Sequence, residues 1–306
     1  MKQKFLNKIS GFSLIELSIV ILIIGILVAG VTQSSRLVKA IRISTARSIT
    51  NSSPVISVKG LSMWLETSSE NSIASSVTGN SIADPDDNTS VGRWNDINIL
   101  NDAANKINLT QSTTSAQPIY LENIINGLPA IKFDGGDRYI FNNIFAESFS
   151  LFVVIQTSNA GTGNSTSQAY SGMQVISADL AGTASDIIPL SIGGGYVKIF
   201  TGVPTETTLS SSITINDNKP YIIFISRNLT NGARNIIINN NNNVSDNNGG
   251  AGIILNATTQ AAIGGDIYNP MFIGNISEII TYNRVLNSEE RTSIFQYLAK
   301  KYNIKI

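Results

Sequence analysis

The chain contains neither cysteine nor histidine in its 306 residues. The first absence removes disulfides, thiolate nucleophiles and the common zinc sites, and leaves the redox compartment unreadable from cysteine usage. The second removes Ser-His-Asp and Cys-His catalysis together with His-ligated metals. Charge is scarce as well: only 14% of residues are Asp, Glu, Lys or Arg, against 42% hydrophobic. Asn, Ser, Thr, Ile and Gly fill the surface instead, a mixture that suits a β-rich domain with polar loops.

The formal net charge is zero, with 21 basic and 21 acidic residues, but the two signs are separated along the chain. Residues 1–65 hold eight basic residues and one acid, Glu16, a balance of +7. The remainder holds 13 basic and 20 acidic residues, a balance of −7. An acidic domain is a poor candidate for phosphate-backbone binding, so no nucleic-acid partner is expected.

The chain has one long apolar run, "GFSLIELSIVILIIGILVAG", from Gly11 to Gly30. A helix over residues 12–31 is roughly 30 Å long at about 1.5 Å per residue, enough to cross a bilayer core. Lys2, Lys4 and Lys8 precede it, as they would in a cleaved secretory signal. The run is too long for a signal core, however, and carries Glu16 near its start. The helix is expected to continue outward through "SRLVKAIRISTARSI", with Leu37, Ala40, Ile41, Ile43 and Ile49 as a partly apolar stripe, until "TNSSP" ends it at Pro54. Arg36, Lys39, Arg42 and Arg47 on the far side leave orientation undecided by charge.

These residues resemble the N terminus of type IV pilins and pseudopilins: a short basic leader ending in Gly, then Phe, then Glu at the fifth mature position, then an apolar helix. The resemblance covers about a tenth of the chain. It implies cleavage after Gly11 by a prepilin peptidase, N-methylation of Phe12, and an assembly role for Glu16 among other pilin or pseudopilin subunits. It also implies a single pass through the bacterial inner membrane with the C-terminal domain outside the cytoplasm, in a pilus or at the cell surface. An ionised carboxylate in hydrocarbon is costly unless paired. Cleavage creates an α-ammonium at Phe12, four residues from Glu16 on the helix, so the carboxylate pairs with its own N terminus or with a neighbour's. The alternative is an interfacial glutamate that snorkels to the headgroups.

From Leu61 onward the pattern is β. "SLFVVIQT" (150–157), "YIIFISRN" (221–228) and "GARNIIIN" (232–239) are short β-branched runs between polar clusters, which predicts a two-sheet sandwich. "NNNNN" at 239–243 reads as a hairpin tip, since Asn tolerates positive φ. One helix closes the chain: Asn287 and Glu290 form a capping box, Ile294, Leu298 and Tyr302 repeat at helical spacing, and Lys300 and Lys301 suit the negative end.

"LSMWLETS", "VGRWNDI", "GLPAIKFDGGDRYIF" and the closing "GNISEIITYNRVLNSEERTSIFQYLAKKYNI" resemble the laminin-G-like jelly rolls of the concanavalin A-like lectin/glucanase fold. The expectation is therefore a mainly β chain: leader 1–11, transmembrane and stem helix 12–50, linker 51–59, and a jelly-roll sandwich over 60–306 with a short C-terminal helix. The resemblance implies recognition of a glycan or surface protein, in some relatives with Ca²⁺. Asp134 and Asp137 in "FDGGD" are candidate Ca²⁺ ligands, with a plain polar turn as the alternative, and no other cofactor is expected. No catalytic residues are expected: Glu66, Glu70, Glu122, Glu147, Glu206 and Glu278 are isolated in sequence, without the close pairing that retaining glycosidases of this fold use. Trp64 and Trp94 are read as core residues rather than sugar-stacking platforms. Two other readings stand beside the adhesin: a secretion-system pseudopilin with no glycan ligand, and a membrane-tethered polysaccharide hydrolase.

Overall fold

The computed structural model describes residues 13–180, 182, 184–255, 258–269 and 271–306. The chain forms two compact units, Met1–Thr45 and Ala46–Ile306. A single helix, Leu14–Asn51, supplies nearly all of the described residues of the first unit and the opening residues of the second. Among the described residues it is the one helix long and apolar enough to cross a membrane. Its side chains from Leu14 to Val31 are exposed, among them Leu17, Ile21, Leu22 and Leu27, as a lipid-facing surface requires. The hydroxyls inside the run bond back to their own helix: Ser18 Oγ donates to the Ile15 carbonyl and Ser34 Oγ to that of Gly30, both at 2.8 Å. Leu37 and Ile41 of the predicted stripe are exposed.

The second unit is a sandwich of two antiparallel sheets. One runs in the order Asn242–Asp246, Arg234–Ile238, Pro220–Arg227, Phe149–Gln156, Ile273–Tyr282, Leu128–Asp134, Ile119–Ile125 and Thr89–Ser90, with Leu61–Glu66 also paired to Ile273–Tyr282. The other runs Thr207–Thr214, Tyr196–Thr201, Ile187–Gly193, Met173–Ala178, Gln260–Ile263, Tyr139–Asn142, Leu109–Thr110, Arg93–Trp94 and Ile73–Ala74. Alternation along each strand decides what lies between them. Leu151, Val153 and Ile155 of one sheet join Val175, Leu190 and Val197 of the other in the common core.

The helix Ser288–Tyr302 covers the opposite face of the first sheet. Phe295 packs on Phe152 and Phe224 at centroid distances of 5.3 and 6.3 Å. The predicted capping box is present, with Asn287 accepting from the Glu290 N–H and Glu290 accepting from that of Asn287. Asn303 ends the helix in the left-handed region. The asparagine run is a tight hairpin: Asn239 and Asn240 have φ of 50° and 54°, and the Asn241 N–H donates to the Ile238 carbonyl.

Candidate functional site

Gly11 and Phe12 lie outside the described residues, but Glu16 is within them. The Ser13 N–H donates to Glu16 Oε2 at 2.8 Å and the Glu16 N–H donates to Ser13 Oγ at 3.2 Å. This is a reciprocal capping box that satisfies two of the orphan donors at a helix start. "SLIE" is therefore a helix-start signal as well as part of the pilin-like segment that follows the expected leader. The S-x-x-E spacing is the sequence signal for it.

The largest correction concerns the glutamates read as isolated. Glu66 and Glu278 are directly opposed on neighbouring strands. Both bond the same ammonium: Lys301 Nζ lies 2.9 Å from Glu66 Oε2 and 2.8 Å from Glu278 Oε2. Lys301 stands in the last turn of its helix, as its sequence position predicts, and there it turns inward and is buried. Around the trio, Glu278 also accepts from Trp64 Nε1, Tyr297 OH and Tyr302 OH at 2.8, 2.7 and 2.9 Å. Glu66 accepts from the N–H and hydroxyl of Ser68 and from the Ser69 N–H.

Burial alone raises the Glu66 carboxyl, but Lys301 and the bonds from Ser68 and Ser69 outweigh it and hold its pKa at about 2. Burial likewise lowers Lys301, and the two carboxylates reverse the sign and raise it. Tyr297 and Tyr302 are pushed well above the usual phenol range by burial and by the same carboxylates. Every side chain of the trio is fully enclosed, and both carboxylates are saturated with donors. Such a pair meets no substrate. It ties the C-terminal helix to strands from both ends of the domain sequence.

The same region holds the beginning of the second unit. Thr50 Oγ1 lies 3.4 Å from Tyr297 OH. Arg47 donates to the carbonyls of Ser68 and Ala83 and forms ion pairs with Glu70 and Asp84 at 3.1 and 2.9 Å. The acidic stretch 84–88 thus meets a guanidinium.

Asp134 and Asp137 form a turn that bonds to itself. Asp137 Oδ2 accepts from the Asp134 N–H at 3.0 Å, and Asp134 Oδ1 accepts from the Gly136 N–H at 2.7 Å. Burial pushes Asp137 up to about 6. No group of three or more His, Cys, Asp or Glu placed to hold a metal occurs among the described residues. Both tryptophans are buried, and Trp94 Nε1 donates to the Glu66 carbonyl.

A second buried charged cluster, a pair of arginines, has no counterpart in the sequence reading. Arg227 and Arg234 face each other across adjacent strands. Arg227 donates to the carbonyls of Ala146, Glu147, Gly249, Gly250 and Ile253, drawing two loop segments together. Burial, then the neighbouring Arg234, pulls it down to about 10. Arg234 takes the Asp246 carboxylate through Nε and Nη2 at 2.9 and 2.6 Å.

Two large clefts are among those that the described residues of the domain form. One, of about 660 Å³, is walled by Asn71, Asn95, Asn108, Arg93 and Lys106 over Trp64. The other, of about 750 Å³, lies among loops with Tyr170, Asn159, Asp134 and Met271 at its walls. Amide, cationic and aromatic side chains together suit a polar ligand held by directional hydrogen bonds.

Residues 6–32 match the model of the prokaryotic N-terminal methylation motif. No curated protein sequence matches the chain. Among solved structures, Trypanosoma rangeli sialidase is similar at 16% identity and a TM-score of 0.46, over 79% of this chain and 33% of that one. The receptor binding domain of botulinum neurotoxin mosaic serotype C/D is similar at 14% identity and a TM-score of 0.45, over 78% of this chain and 50% of that one. The botulinum neurotoxin serotype D binding domain is similar at 16% and 0.43, over 64% and 49%. The chain spans about a third of the sialidase and about half of the toxin domains.

Proposed function

We propose that the chain is a non-catalytic, pilin-like membrane protein that displays its β-sandwich for adhesion or for recognition of a glycan or surface protein. The observation that carries this reading is the methylation motif over residues 6–32, continuous with an apolar helix that runs to Asn51. In this account residues 1–11 are the leader, 12–50 the transmembrane stem, 51–59 a linker and 60–306 the displayed domain. A prepilin peptidase cuts after Gly11, Phe12 is N-methylated, and Glu16 meets the new α-ammonium or a neighbouring subunit's during assembly. The domain faces away from the cytoplasm. Its bulk favours a minor, tip-located subunit, because close helical packing of many copies would crowd it.

Two further observations support a binding rather than a hydrolytic role. The opposed pair Glu66–Glu278 is enclosed and neutralised in part by Lys301. The clefts, in contrast, present amides, hydroxyls and cationic side chains to solvent. The test is Gly11→Val in the native membrane: the precursor retains its leader while wild-type chain loses it. Unchanged maturation of the variant overturns the assignment. Glycan-array binding by the full chain separates the adhesin from a pseudopilin without a glycan ligand.

A further inference from the structure

The cleft over Trp64 lies wholly in the second unit, and "VGRWNDI" supplies Arg93, Asn95 and Asp96 to its walls. Its volume of about 660 Å³ falls within the range of small-molecule sites, about 300–1,000 Å³. Hydrogen bonding inside it decides which groups remain for a ligand. Asp96 is the one acid in the walls, and both of its carboxylate oxygens are engaged by backbone. Oδ1 accepts from the N–H groups of Trp64 and Asn98, each at 2.9 Å, and Oδ2 from that of Ile107 at 3.1 Å.

The donors are less fully engaged. Lys106 Nζ makes one bond, to the Asp96 carbonyl at 3.1 Å, so two of its three N–H donors are available. Arg93 donates Nη1 and Nη2 to the carbonyls of Val77 and Gly79, both at 2.7 Å, while its buried Nε has no protein partner. Asn108 accepts at Oδ1 from the Asp96 N–H at 3.0 Å, which leaves its Nδ2 free among the described residues. Only Asn95 offers the opposite: its Nδ2 donates to the Asn71 carbonyl and to Ser81 Oγ, and its Oδ1 stays open as an acceptor.

The remaining capacity is thus weighted to donors and positively charged, in a part of the chain where acids outnumber bases by 20 to 13. A carboxylate answers both features, since charge-assisted hydrogen bonds are roughly twice as strong as neutral ones. The hydroxyls of Ser53 and Ser69 and the Asn95 amide oxygen exchange bonds with hydroxyl groups, and Ile56, Ile97 and Ile99 give apolar surface for the C–H face of a ring. We propose that this cleft binds an acidic saccharide, a sugar that carries a carboxylate, with Lys106 as the counter-ion. No metal takes part, because the one wall carboxylate is occupied by N–H donors. The inference rests on the recognition role proposed for the domain and adds the place and the class of ligand.

The experiment is calorimetric titration of the detergent-solubilised full chain, in EDTA, with sialyllactose and with trigalacturonate. Lactose and the methyl ester of trigalacturonate are the uncharged controls, and a tetraglutamate peptide is the carboxylate without a sugar. At least one acidic sugar is expected to bind saturably, and its uncharged counterpart at least about tenfold more weakly. Lys106→Gln is expected to weaken binding by at least about tenfold with an unchanged Tm. Asn71→Asp, an exposed position on the same wall, adds a negative charge and is expected to weaken it as well, whereas Tyr170→Ala in the other large cleft leaves it unchanged. Binding of neither acidic sugar overturns the site, as does equal affinity for charged and uncharged sugars, or an affinity unmoved by Lys106→Gln and Asn71→Asp. Tighter binding of tetraglutamate overturns it in favour of a peptide, and loss of binding in Tyr170→Ala alone moves the sugar elsewhere. A chain that fails these tests yet takes a glycan from an array retains the recognition role and loses only this site.

Discussion

Glu16 answers two demands with one side chain. Its carboxylate caps the helix through the Ser13 N–H, and in the proposed assembly it also meets an α-ammonium. The two roles separate by substitution. Glu16→Gln retains a group able to complete the capping box but removes the charge. The expected outcome is normal maturation and loss of the variant from sheared filaments, read by immunoblot against wild type. Incorporation of Glu16→Gln at the wild-type level, with loss only in Glu16→Ala, would reduce the residue to a cap. The same local spacing that exposes Ser13 and Glu16 to sequence reading is what Glu66 and Glu278 lack: their meeting depends on the pairing of strands far apart in sequence, and neither is flagged by its neighbours.

The C-terminal helix illustrates which parts of an element are readable. Its start follows from Asn287 and Glu290, three residues apart, and its packing stripe from Ile294, Leu298 and Tyr302. The direction of Lys301 does not follow, because the acid that turns it inward, Glu66, stands 235 residues away and reaches it only through strand register. Likewise the strands over 150–157 and 221–228 are legible as β-branched runs, whereas the opposition of Arg227 to Arg234 belongs to the register between strands. Lys301→Met leaves two buried carboxylates without their cation, and is expected to destabilise the domain by about 3–5 kcal/mol in chemical denaturation. Glu66, held at about 2 against an ordinary 4.5, contributes stability that is complete above about pH 4.5 and is lost as pH falls toward 2. Lys301, raised above its ordinary value, contributes stability present below about pH 10.5 and lost as pH rises beyond it. The wild-type acid limb is therefore expected to be steeper than that of Lys301→Met. Parallel limbs would show that the trio does not hold the helix down.

At the scale of the whole molecule, the charge split of the sequence corresponds to two kinds of work. The basic residues gather in the first 65 positions, which include the long apolar helix, and the acidic remainder builds a sandwich in which the buried Lys301 and Arg234 are held by Glu66, Glu278 and Asp246. Mainly β architecture and the helical N terminus were legible because periodicity and composition are local properties. The clefts were not, because each is assembled from segments distant in sequence. What the fold displays takes its meaning from how the N terminus is processed. The direct measurement is the intact mass and N-terminal sequence of the chain extracted from its native membrane. The account predicts a chain that begins at Phe12 and carries one methyl group on its α-nitrogen. A chain that begins at Met1, or one cut beyond the apolar run, would contradict it.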